Sequence, residues 1–242
     1  MELLAGAVIV FGAAFLGGVT GFGFSLLTTP LLLLLGFPLP FVVTANMSVA
    51  LFTRIPVVYR FRNHICWKRV AGLVGGCIPG LWLGAQVLTA IPEDTIKVVA
   101  GVIVMLVAIA LWRSRTSAPP RPIPGSAVAA GFVGGSLGAS TSLNGVGPIL
   151  LLARDKASPK AFLADLGFYF VAVNALGLLV LYSEGALVEE VFYPAFVVWF
   201  PASAAGNFSG VWLAPRLPES VFRNLALTVI FVAGAMTAAT AI

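Results

Sequence analysis

Two stretches of this chain combine glycine, proline and hydrogen-bonding side chains in a way suited to holding an anion. The first reads Gly21-Phe22-Gly23-Phe24-Ser25-Leu26-Leu27-Thr28-Thr29-Pro30, the second Gly138-Ala139-Ser140-Thr141-Ser142-Leu143-Asn144-Gly145-Val146-Gly147-Pro148. Proline fits the first position of a helix, so Pro30 capped by Thr29 and Pro148 capped by Gly147 each predict the start of a new short helix. The first amides of such a helix have no internal partner. Two such ends meeting inside the protein would form an anion site that needs no fixed charge. Candidate contacts are Gly21, Gly23, Ser25, Thr28 and Thr29 from the first stretch, and Ser140, Thr141, Ser142, Asn144 and Gly145 from the second. Close helix packing alone would explain the glycines. It does not call for the hydrogen-bonding cluster of Ser140, Thr141, Ser142 and Asn144.

Few other side chains offer chemistry. Arg54 lies six positions before Arg60 within an apolar run. It would either snorkel to the membrane surface or add a positive charge to an anion path. Asp165 stands just inside another run and reads as an interfacial partner of Lys160 ahead of a proton carrier. Asn46, Asn174 and Asn207 serve equally as walls of the site or as interhelical glue. Trp82, Trp199 and Trp212 read as packing or interface aromatics. The lone His64 and the cysteines Cys66 and Cys77 complete no metal site, and the thiols read as reduced. No buried Ser/His/Asp set, HExxH motif or nucleotide-binding loop is present. Neither an enzyme nor a cofactor is therefore expected.

These residues must be positioned within a membrane. Of the 242 residues 60% are hydrophobic and 10% charged, and mean hydropathy is +1.04. Soluble domains carry roughly a quarter charged residues. The net charge of +5 is spread over short loops, which excludes a nucleic-acid face and reads instead as an orientation signal. Apolar segments run over 3–37, 41–59, 70–91, 95–112, 125–153, 162–182, 191–213 and 221–242. The run from Leu3 lacks a basic leader and begins beside Glu2, so it reads as a first membrane segment. A linker rich in Arg, Ser and Pro bisects the chain. The expected organisation is a first repeat over 1–113, a linker over 114–124 and a second repeat over 125–242.

Ordered matches join the halves. Gly17-Gly18-x-x-Gly21 leading to Pro30 pairs with Gly134-Gly135-x-x-Gly138 leading to Pro148. Gly80-x-x-x-Gly84 before Pro92-Glu93 pairs with Gly206-x-x-x-Gly210 before Pro218-Glu219. These last two glycine pairs read as packing contacts. Single crossings throughout would put the Arg154–Lys160 and Arg216–Arg223 loops outside, against the positive-inside rule. The first and fifth segments therefore read as hairpins that leave by the face they entered. Every basic loop is then cytoplasmic and both termini lie outside. The fold class is an all-α polytopic membrane protein of two inverted repeats, each a Gly/Pro-broken segment plus three transmembrane helices.

Along essentially its whole length the chain resembles the sulfite exporter TauE/SafE family. The resemblance is carried by the glycine motifs before Pro30-Leu31-Leu32 and Pro148, by the Gly80/Gly84 and Gly206/Gly210 pairs, and by Ala45-Asn46-x-Ser48 in the second span. The chain departs from it at Ser140-Thr141-Ser142, where members more often carry glycines. The resemblance implies a secondary transporter in a bacterial cytoplasmic membrane, exporting sulfite or a short organosulfonate by alternating access. Its partners would be a small anion and the lipid bilayer. The rival reading is a membrane scaffold for a sulfur-metabolism partner.

Overall fold

The computed structural model describes residues 2–21, 23–113 and 123–213, with positions 228, 231, 232, 235 and 238 of the last segment. All but two of the residues of the linker expected at 114–124, and most of the last apolar segment, lie outside the described residues. Among those described, every regular element is helical. The long helices are α1 (Glu2–Thr20), α2 (Phe24–Leu34), α3 (Leu39–Phe61), α4 (Trp67–Ala90), α5 (Glu93–Arg113), α6 (Ser126–Thr141), α7 (Val146–Arg154), α8 (Pro159–Ser183) and α9 (Ala195–Leu213). Four stretches are long and apolar enough to cross a bilayer: Glu2–Val19, Leu39–His64, Trp67–Ala90 and Pro159–Ser183.

The first and fifth apolar segments are broken, and their limbs are unequal. With 19 residues α1 measures about 28 Å at 1.5 Å per residue, and α2, with 11, reaches only about 16 Å. In the second half α6 has 16 residues and α7 has 9. A half-length limb must end inside the bundle. The break before α2 occurs at Gly21 and Gly23, whose φ angles of 79° and 101° are open to glycine and costly for other residues.

Neither proline opens its helix as expected. Pro30 sits in the seventh position of α2, because Gly23 already turns the chain and the helix starts at Phe24. Lacking an N–H, Pro30 cannot bond the Leu26 carbonyl. Pro148 occupies the third position of α7, where a missing N–H costs nothing because that amide has no internal acceptor.

The turns that leave the two short helices match residue for residue. After α2, Phe37 N donates to Leu32 O (3.2 Å) and Gly36 N to Leu33 O (3.0 Å); after α7, Ala157 N donates to Leu152 O (3.1 Å) and Lys156 N to Ala153 O (3.3 Å). Both are Schellman ends with a left-handed residue, Gly36 or Lys156, at the reversal.

Helices from opposite halves pack on one another. A Cβ on Gly76, Gly80 or Gly84 of α4 would strike the carbonyl of Val128, Phe132 or Ser136 on α6; one on Gly131 or Gly135 of α6 would strike Leu73 or Cys77. In the same manner Gly206 and Gly210 of α9 lie on the Phe11 and Phe15 carbonyls of α1. The glycine pairs thus act as packing contacts, and the advancing numbers make each pair of helices parallel. Between them α3 and α8 run antiparallel, with Gly177 on Met47 and Gly167 on Val57.

These contacts assign each helix end to a face. At one end Trp199 Nε1 donates to Leu3 O (2.9 Å), and its ring meets Phe37 and Phe41 edge-on. Leu39 N donates to Glu93 Oε1 and Gln86 Nε2 to Glu184 Oε2 at that same end. At the other end Asp165, fully buried, accepts from Arg69 Nη1 (2.7 Å) and from Cys66 N at the start of α4 (2.8 Å). Asp165 is thus an ion-pair residue, but its partner is Arg69 in place of the expected Lys160. Five positions along a helix turn Lys160 about 140° away from Asp165. Arg60, Arg69 and Arg154 gather at this second face, while Glu93, Asp94 and Glu184 lie at the first. Cys66 is exposed and Cys77 buried, both free. Of the tryptophans, Trp199 is packed inside, whereas Trp82 and Trp212 are exposed on the bundle surface.

Candidate anion site

The two helix breaks come together at the centre of the bundle. A small cavity between them is lined by Gly23, Phe24, Ser25 and Leu26 from the start of α2, and by Leu143, Asn144, Gly145 and Ile149 around the start of α7. Ala50 and Arg54 of α3 and Phe170 of α8 close it. Its volume is about 30 Å³, where one water needs roughly 10–15 Å³. Two or three waters, or one small oxyanion, would fit. Neither Gly23 nor Gly145 provides a side-chain cap, so the first amides of both short helices remain without one. The helix dipoles place partial positive charge on the cavity from both sides.

Arg54 adds a full charge. It is 6% exposed, and its guanidinium lies 5.4 Å from the centre of the Phe170 ring. Among the described residues no carboxylate stands within ion-pair distance of it. No acidic side chain lines the cavity. The Arg54 side chain is buried in the bundle and takes part in the cavity wall, a placement compatible with an anion path. Arg54 also borders a larger groove of about 890 Å³ that runs past Gly21, Asn207 and Arg60 toward the basic face. The cavity wall thus combines uncharged donors with one charged side chain, Arg54, which the sequence offered as an addition to an anion path.

The other predicted residues fall into three groups. Gly23, Ser25, Arg54, Asn144 and Gly145 line the cavity. A supporting network stands behind it: Asn46 Nδ2 donates to Thr29 Oγ1 (3.1 Å), which donates to the Thr141 carbonyl (3.2 Å). That carbonyl belongs to the last turn of α6, where four C=O groups lack helical partners. Asn144 Nδ2 likewise donates to Asn174 Oδ1 (2.7 Å), tying the second break to α8. Ser142, at φ 65°, and Asn174 keep a buried Oγ and Nδ2 without a protein partner.

The third group is turned elsewhere. Thr28, Ser140 and Thr141 donate to the carbonyls of Phe24, Ser136 and Leu137, four residues back on their own helices. Their hydroxyl hydrogens are spent there. Gly21 and Asn207 border the groove and not the central cavity. Phe170 was missed. Its position opposite Arg54 depends on the register of α8 against α3, and a single aromatic in an apolar run carries no local mark of that.

No curated protein and no solved structure matches the chain. A sequence profile described as sulfite exporter TauE/SafE matches residues 6–237, nearly the whole length, and on that match the chain belongs to the TauE/SafE sulfite exporter family.

Proposed function

We propose that this protein is a secondary transporter that exports a small sulfur-containing oxyanion, sulfite or a short organosulfonate, across a bacterial cytoplasmic membrane. The family's name supplies the sulfur anion. The observation that carries the reading is the meeting of two uncapped helix starts and the buried Arg54 on one cavity. A pyramidal oxyanion needs several directed donors, and backbone amides with Ser25 and Asn144 would surround it while Arg54 balances its charge.

Alternating access between two inverted repeats, 1–113 and 125–242 joined by 114–124, is the proposed mechanism. The matched turns at Gly36 and Lys156 support a duplication, as do the equivalent pairings of α4 with α6 and α9 with α1. The first half begins at the acidic face and the second at the basic face, which favours inversion. The positive-inside rule would make the basic face cytoplasmic and set both termini outside. The scaffold alternative gains no support from a cavity that joins two helix starts to a buried arginine.

Uptake of radiolabelled sulfite into inverted membrane vesicles tests the function, with vesicles lacking the protein as control. Absence of flux with folded protein would refute transport. Gly145→Val tests the site. Its side chain would press on Ile149 and Phe170, both in the cavity wall, and uptake should fall to the control level; wild-type uptake would move the site elsewhere.

A further inference from the structure

Arg54 stands between two spaces, the central cavity and the groove that reaches Arg60 at the basic face. It is buried, it stacks on Phe170, and among the described residues no carboxylate pairs with it. The cavity it faces is small and partly open, and neither Asp nor Glu is in its wall. The empty site consequently holds one uncompensated positive charge, reinforced by two helix starts of the same sign. A bound monoanion cancels that charge.

Resting on the transport reading above, we propose that Arg54 makes the protein an anion exchanger: the closed intermediate forms readily with an anion bound and poorly without one. Any alternating-access cycle passes through a state in which the site is shut off from water on both sides. For the loaded protein that state contains a paired Arg54 and anion, with helix amides satisfying the remaining oxygens. For the empty protein it contains a buried guanidinium stripped of water and partner, which is the costly half of a broken buried ion pair. The loaded protein therefore crosses, and the empty one returns slowly. Outward movement of one anion becomes tied to inward movement of another of similar size and charge.

The test uses the full chain in liposomes loaded with saturating radiolabelled sulfite, with the membrane potential clamped. Efflux is followed into medium with and without unlabelled sulfite. Efflux should be faster with sulfite outside by on the order of 10- to 100-fold, the range left after relaxation and water entry soften the penalty. Arg54→Gln keeps hydrogen-bond donors and removes the charge. It should raise the sulfite concentration needed for half-maximal flux and bring the two efflux rates close together. Arg54→Lys, which keeps the charge, should keep the acceleration. Equal efflux into both media from the wild-type protein would overturn exchange while leaving transport intact. An undiminished acceleration in Arg54→Gln would overturn the role of Arg54. No efflux into either medium would overturn the transport reading as well.

Discussion

Replacing Gly80 with alanine tests whether helix contact across the two halves, rather than helix propensity, governs the stability of this bundle. By propensity alone alanine stabilises a helix by about 1 kcal/mol over glycine. The geometry reverses the sign. A methyl at Gly80 would sit inside van der Waals range of the Phe132 carbonyl and 2.9 Å from the Ser136 nitrogen, both backbone atoms of α6. Ordinary carbon contacts lie at about 3.5–4.0 Å, so α4 and α6 would have to separate by about 1 Å. Overpacking of this kind costs roughly 1–3 kcal/mol, for a net loss of up to about 2 kcal/mol once propensity is credited. At about 2–4 °C per kcal/mol for a chain of this size, the expected fall in Tm is up to about 8 °C. Gly75→Ala is the matched control: Gly75 lies on the same helix with nothing within 4 Å of an added Cβ, and its Tm should hold or rise. Thermal unfolding of the purified protein in one detergent, followed by size-exclusion fluorescence, measures both. If the two variants melted together, the contact argument would be wrong.

Three further outcomes follow from the site and its frame. Phe170→Leu keeps an apolar wall but removes the ring that holds the Arg54 guanidinium at the cavity; binding must then supply that positioning, worth about 0.5–2 kcal/mol, so sulfite affinity should weaken by about 2- to 30-fold, and Phe170→Trp should retain it. Asp165→Asn leaves an acceptor for Cys66 N but breaks the pair with Arg69, costing about 1–3 kcal/mol of stability. Its flux should keep the wild-type pH profile, and a flux that lost its pH dependence would return Asp165 to the transport path. Cysteines at Ser158 and Ser183 should react with an impermeant thiol reagent from opposite sides of the membrane, Ser158 from the same side as native Cys66. Labelling of both from one side would contradict the antiparallel course of α8.

Much of the frame was legible because its signals are local. Glycine and proline mark the breaks, basic residues mark one face, and glycines spaced by four mark the close contacts. The precise start of each short helix was less legible, since Gly23 and Gly145 outweighed the prolines as the points of reversal. At the site, residue types suited to anions are legible in the sequence, but their directions are not. Ser140 and Thr141 could donate to a ligand or to a carbonyl four residues back, and only the backbone decides. The partners of Arg54 and Asp165 depend on how α3, α4 and α8 register against one another. Those contacts join residues roughly a hundred positions apart, and no local pattern encodes them.

The crossed pairing of helices also bears on how the chain is made. A ribosome releases α1 long before α9, the helix whose glycines fit the α1 backbone. At about 5–20 residues per second, α1 waits on the order of ten seconds or more for its neighbour. The first half cannot finish assembling until the second has entered the membrane, because α4 in turn awaits α6. Either half expressed alone should therefore be a target for membrane proteases, while the two halves produced together as separate chains should protect one another.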